Sequence, residues 1–338
     1  MNKKIFISLL LVLAALIGYL LYLWLSDKVG AGQEISWGAE NRRKIVLVSP
    51  GGIYAPITDN FKAGLAQRGW QENGNAVFLD LTYAGRGESW SNTLAGLAAQ
   101  KPDLIFAVTA PAVLAVQDLL PELPVIFAAV GDPVAAGLIK DYSHSSARAA
   151  GCADWTDNLA AKRLEIAHEA FPSLRRVVVI WDAADKNSRV VASRLSGVAA
   201  ALDLEFFSVP AAGQTEYLLA AAGLSAADYD LVFLLPDELT ILHWPQLAQK
   251  AQEAGLPVIG YVSGQAEKYA SLTYGAAAAD LGRQCAPLAE KILLGEPISE
   301  SPSTIPEKLY LTINLLAVKS ANLTVSPAVR LRADKIFE

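Results

Sequence analysis

The sequence predicts an α/β protein with parallel sheets, because short apolar runs alternate with segments of helical periodicity along most of its 338 residues. Residues 103–138 show the pattern best. Two runs, 104–108 and 124–130, are rich in Val, Ile and Phe, which is typical of strands buried on both faces. A segment with helical spacing of apolar residues starts at Pro111 between them. Each run ends in small or turn-forming residues, and an open parallel sheet has its ligand crevice at such strand ends.

The same alternation occurs in two series that meet near residue 150. We therefore predict two lobes of similar build. The first series contains predicted strands at 44–48, 76–81, 104–108 and 124–130, with helices around 57–65, 89–100 and after 111. The second contains helices at 158–171, 188–202, 216–224 and 239–254 and strands at 176–181, 204–209, 231–235 and 257–261. The pattern alone assigns neither the strand near 271–274 nor the long helix at 279–294 to a lobe.

The N-terminus predicts a signal peptide or an uncleaved signal anchor over residues 1–26. Lys3 and Lys4 precede an uncharged run at 5–26, which at about 1.5 Å per residue can cross a bilayer core of about 30 Å. Both alternatives stay open, although the length of the run favours an anchor. The two lysines keep the N-terminus in the cytoplasm and place the rest outside. Residues 27–41, with three glycines, form a predicted linker.

Composition excludes several classes of function. A net charge of −6 and the absence of a basic patch argue against nucleic-acid binding. The three histidines lack metal-ligand spacing, so we predict no metal site, and no cofactor or catalytic motif is present. We therefore expect a protein that is not an enzyme.

The two cysteines of the exported part, Cys152 and Cys285, imply no disulfide framework. Cys285 shares a helical stripe with Leu281, Leu288 and Ile292, which favours a buried thiol that acts as a small hydrophobe. A Cys152–Cys285 bridge is the alternative.

Six short motifs, in the right order and spacing, resemble the ABC-transporter substrate-binding family that includes tryptophan- and tyrosine-binding proteins. The resemblance runs from about residue 44 to the C-terminus. The motifs are the residues at 61–70, 102–105, 124–127, 132–138, 280–284 and 291–293, and the segment 306–315 also looks like the family's C-terminal part.

The resemblance implies a type I periplasmic-binding fold, in which two Rossmann-like lobes enclose the ligand and three crossings serve as hinges. The crossings are expected near 149–154, 260–263 and 296–303. The first lobe is expected to comprise 42–150 plus 261–296, including the strand near 271–274 and the helix after it. The second lobe is expected to comprise 151–260 plus 297–338.

Candidate ligand-binding residues of the first lobe follow its strands. They are Tyr54, Thr109, Ala110 and Asp132. Backbone N–H groups at the helix start after Ala110 can hold a carboxylate, because that end of a helix carries partial positive charge and free donors. Asp132 also has a plain interpretation as a turn residue.

Candidates of the second lobe follow from the resemblance. Asn187 and Ser188 match the end of the family's Asn-Pro loop, and Asp237 matches a strand-end Asp that can face a ligand ammonium. All three have an equally simple interpretation as helix-capping residues. Trp181 fits a core or a cleft position equally well.

The chain also departs from the family's pattern. Tyr261-Val262 replaces a common Ser-Asp, and alanines occupy 276–279. The cleft therefore looks less polar than usual, which favours an apolar or aromatic ligand. Aromatic stacking faces could come from Tyr54, Trp155, Trp181, Tyr261 and Tyr274.

These observations predict an extracytoplasmic solute-binding protein that captures a small organic ligand, such as an aromatic amino acid, for an ABC importer. Its expected partners are the ligand, an ABC permease and, through residues 5–26, the membrane; a monomer without cofactors is expected. The alternative is a membrane-anchored sensor whose hinge closure informs a signalling partner.

Overall fold

The computed structural model describes residues 42–84, 88–143, 145 and 148–338. The predicted signal or anchor at 1–26 and the linker at 27–41 lie outside the described residues. Among the helices that are described, none combines the length and the apolar character needed to cross a membrane.

The first lobe is a five-stranded parallel sheet in the order β2-β1-β3-β4-β5. Its strands are β1 (Arg43–Ser49), β2 (Ala76–Thr82), β3 (Leu104–Val108), β4 (Val125–Ala128) and β5 (Ala149–Cys152), and its first helices are α1 (Ala55–Gln67), α2 (Glu88–Gln100) and α3 (Ala110–Leu119). All residues of β3 and β4 are buried. The continuous apolar runs therefore form central strands covered on both faces.

The second lobe is a seven-stranded sheet in the order β12-β11-β10-β9-β8-β6-β7, parallel except for the antiparallel pair of β10 and β11. Its strands are β6 (Arg176–Asp182), β7 (Glu205–Ala211), β8 (Leu231–Phe233), β9 (Val258–Gly260), β10 (Leu272–Gly275), β11 (Tyr310–Asn314) and β12 (Lys335–Phe337). The remaining helices are α4 (Thr156–Ala170), α5 (Lys186–Ala201), α6 (Gln214–Ala222), α7 (Glu238–Glu253), α8 (Ser263–Ala266), α9 (Ala278–Leu293), α10 (Leu315–Ser320) and α11 (Pro327–Leu331).

Helix α9 belongs to the first lobe, where it packs against α1. Two glycines allow the close contact between these helices. A Cβ atom on Gly282 would lie 2.1 Å from the Ile57 carbonyl oxygen, and one on Gly64 would lie 2.6 Å from the Ala286 Cβ. The helix buries Leu281, Cys285, Ala289 and Leu293 on one stripe. Packing of this apolar face explains why the chain returns to the first lobe at α9, after most strands of the second lobe have formed.

Strand β10 corrects one expectation, since it pairs with β9 and β11 in the second sheet and not with the first lobe. The chain therefore returns to the first lobe at 276–277, between β10 and α9, and not near 260–263. The last crossing also lies later than the expected 296–303. Thr304 still pairs with the end of β5, a strand of the first lobe, and its N–H donates to the Gly151 oxygen at 2.8 Å. The chain therefore leaves the first lobe only after Thr304. The first crossing follows β5, at 153–155.

Cys152 and Cys285 form a disulfide, with 5.9 Å between their Cα atoms. The interpretation of Cys285 as a buried free thiol is therefore wrong. The bond joins the last residue of β5 to the middle of α9, because the helix stripe that carries Cys285 packs against β4 and β5. It ties the strand that leaves the first lobe to the helix that returns to it.

Candidate ligand-binding site

The two lobes face each other across the carboxyl ends of their parallel strands, and tyrosines join them. The Tyr54 hydroxyl, after β1, lies 3.0 Å from the Tyr261 hydroxyl, after β9. The Tyr83 hydroxyl, after β2, donates to the Glu238 Oε1 at 2.7 Å. Tyr54 and Tyr261 are both buried and belong to one hydrophobic cluster that contains residues of both lobes. These contacts hold the lobes together on one side of the cleft.

An open cavity of about 450 Å³ lies between the lobes. Its first-lobe wall is the start of α3 and the turn after β4, and its second-lobe wall is the loop between β6 and α5. The lining residues are Ala110, Pro111, Leu114, Ala135, Ala136, Asp182, Ala184, Asp185, Lys186, Asn187 and Glu238. This volume suits a small organic molecule.

The start of α3 offers unused hydrogen-bond donors to this cavity. Thr109 occupies the N-cap position, but its side chain makes no capping hydrogen bond. Its φ of 81° is a rare conformation for a β-branched residue. Its buried Oγ1 has no hydrogen-bond partner among the described residues. A helix start with free N–H groups and a spare hydroxyl is suited to an anionic oxygen.

Three charged side chains lie buried where the first crossing enters α4. Asp154, Asp157 and Arg163 are 4%, 7% and 0% exposed. The pKa of Asp157 is raised to about 7, mainly by burial and also by the nearby Asp154 carboxylate, whereas Arg163 acts to lower it. Burial also raises the pKa of Asp154, against the opposing hydrogen bonds from Thr156. Two carboxyl groups thus share a dry site with one guanidinium.

Arg163 leaves part of its hydrogen-bonding capacity unused. Its Nη1 donates to the Thr156 carbonyl oxygen at 2.7 Å, and its guanidinium lies 5.3 Å from the Phe233 ring centroid. Nε and Nη2 are buried without a partner in the described part of the chain. Burial lowers the pKa of Arg163 to about 10, so the group stays charged at neutral pH.

The Tyr142 hydroxyl is also buried and unpartnered among the described residues. Burial raises the pKa of Tyr142 to about 12, with Asp132, Asp154 and Asp157 adding to the effect.

Gly131 separates the turn after β4 from this charged cluster. A Cβ atom there would lie 2.6 Å from the Asp157 Oδ2 and 2.9 Å from the Thr156 Oγ1. The absence of a side chain therefore lets the first lobe approach the start of α4 closely.

We expect Gly131→Ala to displace the Asp157 carboxylate and to weaken ligand binding at least tenfold, because the added methyl group cannot fit without movement of the charged cluster. Isothermal titration calorimetry would measure the loss. Gly197→Ala is the matched control, since a Cβ at Gly197 meets no atom within 4 Å. Equal affinity of Gly131→Ala and wild type would contradict the prediction.

The second-lobe wall is held by carboxylates that cap helices. Asp185 accepts hydrogen bonds from the N–H groups of Asn187 and Ser188 at the start of α5. Asp237 is fully buried, and it accepts from the Thr240 N–H at 2.7 Å and the Asp182 N–H at 3.1 Å. Burial raises the pKa of Asp237 to about 7, and these hydrogen bonds oppose the shift. Asp237 therefore fixes the loop after β6 that forms the cavity wall.

The structure brings some of the residues predicted from sequence together and leaves others apart. Ala110 and Asn187 line the cavity, Thr109 occupies the N-cap position of the adjoining helix without a capping side-chain hydrogen bond, and Tyr54 contacts Tyr261. Three more have local structural roles: Asp132 accepts from the Val134 and Ala135 N–H groups in a turn, Ser188 is buried at the start of α5, and Asp237 caps α7.

Trp181 and Tyr274 are not brought to the cavity, since both pack in the core of the second lobe. The Trp181 Nε1 donates to the Ser208 Oγ on the neighbouring strand β7 at 2.9 Å. Among the residues that the structure describes, no group of three potential ligands is arranged to hold a metal ion.

Sequence reasoning missed Asp154, Asp157 and Arg163, as well as the Tyr83–Glu238 contact. The available signal was the run Asp154-Trp155-Thr156-Asp157, which is separated from β5 by Ala153 alone. Trp155 has a φ of 62°, so this strand end is also conformationally strained. Because the sequence pattern does not predict β5, it does not mark this segment as a strand end.

Two α/β lobes that close on a polar cavity define a two-lobed binding protein of the periplasmic type, which is the predicted fold. The chain belongs to the ABC transporter substrate binding protein family, whose sequence model matches residues 45–337. Proteins of this family are ligand binders and not enzymes, act outside the cytoplasm and work with an ABC permease. The predicted family, fold and absence of enzymatic activity are thereby confirmed.

Individual relatives agree with this assignment. A tyrosine-binding protein of Clostridioides difficile (strain R20291) is 24% identical over 286 residues, which cover 83% of this chain and 80% of that protein. An ABC domain in complex with L-Trp from Streptococcus pneumonia superposes with a TM-score of 0.78 at 18% identity, covering 88% of this chain and 100% of that one. A ligand-free, open substrate-binding protein from Clostridium difficile gives a TM-score of 0.62 at 22% identity, covering 87% and 99%.

Proposed function

We propose that the chain captures a small zwitterionic ligand with an aromatic or apolar side chain, such as an aromatic amino acid, and delivers it to an ABC importer. The observation that carries this proposal is a pair of opposite binding features at the carboxyl ends of two strands of the first lobe, β3 and β5. The uncapped start of α3 suits a carboxylate, and the buried carboxyl groups of Asp154 and Asp157 suit an ammonium.

The charges of the cluster favour a ligand that brings its own cation. Among the residues that the structure describes, Arg163 is the one buried cation near Asp154 and Asp157, and like charges in a dry site repel each other. An ammonium near Asp157 would relieve this repulsion. Binding would then be strong in the closed cleft, where water cannot compete.

The side chain of the ligand would contact the less polar parts of the cleft. Ala110, Pro111, Leu114 and Ala136 contribute apolar surface to the cavity wall. The names of two relatives support an aromatic ligand, since one is a tyrosine-binding protein and another structure contains L-Trp. Tyr54 and Tyr261 would act mainly as a contact between the lobes.

Delivery to a membrane permease requires that closure of the lobes be recognised by the partner. The Tyr83–Glu238 and Tyr54–Tyr261 contacts would form as the cleft closes, so they would stabilise the form that the permease recognises. Tethering by residues 5–26 and a monomeric state remain part of the proposal.

Asn187→Ala and Asp237→Ala test the second-lobe wall. We expect both variants to weaken ligand binding, Asn187→Ala by about tenfold through a lost contact and Asp237→Ala through movement of the loop that it holds. Because Asp237 caps α7 and is fully buried, Asp237→Ala should also lower the melting temperature. Asn187→Ala should leave the melting temperature unchanged. Calorimetry and thermal unfolding measure the two effects. Unchanged affinity in both variants would remove these residues from the site.

A thermal-shift screen of the purified protein with amino acids, aromatic metabolites and nucleosides tests the ligand class. We expect tyrosine, tryptophan or a related zwitterion to raise the melting temperature, and the corresponding amine and acid, each lacking one charge, to bind more weakly. If no small molecule stabilised the protein while a partner domain bound its unliganded form, the sensor function would replace transport.

A further inference from the structure

A second open cavity, of about 430 Å³, lies between the lobes and shares no residue with the candidate ligand-binding site. We name it the crossing cavity because it adjoins the second crossing at 276–277. The first lobe contributes the loop after β1 and the start of α9. The second lobe contributes α8, β11 and β12.

Helix α9 begins at this cavity without a side-chain cap. Ala277 occupies its N-cap position, and Ala277, Ala278 and Ala279 all line the cavity. The helix has 16 residues, and its first N–H groups point out of its start without a side-chain acceptor. Asp280 in the first turn does not supply one, because its carboxylate contacts the Arg283 guanidinium and accepts from the Tyr310 hydroxyl.

Thr312 on β11 supplies an independent indication of a bound group. It lines the cavity and is only 1% exposed, yet its Oγ1 has no hydrogen-bond partner among the described residues. Its neighbours Leu311 and Ile313 pack into the core on the opposite face of the sheet, so the Thr312 side chain lies on the cavity face. A buried hydroxyl without a partner costs about 1–3 kcal/mol of free energy. A group bound in the cavity that formed a hydrogen bond with Thr312 would remove this cost.

The charged residues around the cavity leave one positive charge in excess. Lys335 pairs with Glu267 at 3.1 Å, and Arg283 pairs with Asp280. Lys268 also lines the cavity and has no ion pair within the described part of the chain. An ammonium, a free helix start and an unpartnered hydroxyl are together a set of donors for an anion.

We propose that the crossing cavity binds a small oxyanion, a carboxylate or a phosphate, between the start of α9, Lys268 and Thr312. Both lobes form its walls, so the anion contacts depend on the angle between them. An anion that binds one lobe arrangement better than another shifts the population toward that arrangement. The cavity is therefore an effector site that tunes opening and closing of the cleft.

Calorimetric titration of the full chain with sodium phosphate and with sodium acetate, each against sodium chloride at equal ionic strength and pH, tests the binding. We expect millimolar affinity for at least one oxyanion and none for chloride; the preferred salt identifies the anion class. Thr312→Val and Lys268→Gln should each weaken binding at least fivefold. Lys319→Gln, on an exposed lysine outside the cavity, should bind like wild type. Absence of oxyanion binding beyond chloride, or equal binding by all variants, would overturn the site.

Small-angle X-ray scattering of the same samples tests the effector role. The preferred anion should change the radius of gyration of wild type and leave that of Thr312→Val unchanged. Binding that left the wild-type radius of gyration unchanged would overturn the effector role.

Discussion

Replacement of Asp157 by Asn should raise the free energy of unfolding of the unliganded protein at pH 8 by about 2–4 kcal/mol. Burial raises the pKa of this carboxyl from its ordinary 3.8 to about 7. At pH 8 the folded protein therefore holds a charge in a dry site beside the Asp154 carboxylate. Asn keeps the size of the side chain and removes the charge.

The sign of the pH dependence follows from proton binding. Between about pH 4 and pH 7 the folded state keeps a proton on Asp157 that the unfolded chain has released. The contribution of Asp157 to stability is thus fully present below pH 4 and is lost as the pH rises through 7. Asp237, whose pKa is also raised to about 7, acts in the same direction. Wild type should lose more stability than Asp157→Asn between pH 5 and pH 8, as urea unfolding can measure.

The same substitution should weaken binding of a zwitterionic ligand by about two to three powers of ten, since it removes a buried partner of the ligand ammonium. Wild-type affinity should also fall below pH 7, because Asp157 must release its proton to pair with the ammonium. Asp203→Asn, an exposed carboxylate in the second lobe, is the control and should change neither property. An Asp157→Asn protein that bound normally and was no more stable at pH 8 would refute the assigned role.

Most helices and strands could be predicted from the sequence because each signal is local. The runs at 104–108 and 177–181 belong to interior strands of the two sheets, so every residue in them is apolar and buried and the pattern is clear. Strand β5 gave no such signal, because it consists of Ala149, Ala150, Gly151 and Cys152. Its small residues are required by packing: a Cβ on Gly151 would lie 2.1 Å from the Phe127 oxygen. The local sequence of β10 does not predict its lobe, because only its pairing with β9 and β11 determines the sheet to which it belongs.

The sequence indicated where the candidate cavity lies, but it did not indicate most of the residues around it. Strand ends indicated Thr109 and Ala110, and the structure places Ala110 in the wall of the candidate cavity and Thr109 immediately before it. Arg163 lies in the second turn of α4, where an arginine is ordinarily exposed, and its burial depends on Phe233 from a distant strand. The approach of Gly131 to Asp157 likewise joins two segments that no local pattern connects.

Removal of the Cys152–Cys285 disulfide should cost about 5 kcal/mol of stability, because the bond closes a loop with a sequence separation of 133 residues. That loop contains most of the second lobe, from the first crossing to the middle of α9. Without the bond, the unfolded chain gains the conformational freedom of the whole segment. For a protein of this size, the double substitution Cys152→Ala and Cys285→Ala should lower the melting temperature by about 10 °C or more.

Reductant separates the bond from the packing of the two side chains. Dithiothreitol should lower the melting temperature of wild type by most of the difference between wild type and the double variant, and it should leave the variant unchanged. The two single variants should unfold like the double variant, because one cysteine cannot form the bond. A wild-type protein that unfolded at the same temperature with and without reductant would show that the two crossings are held by packing of α9 on α1 and not by the covalent bond.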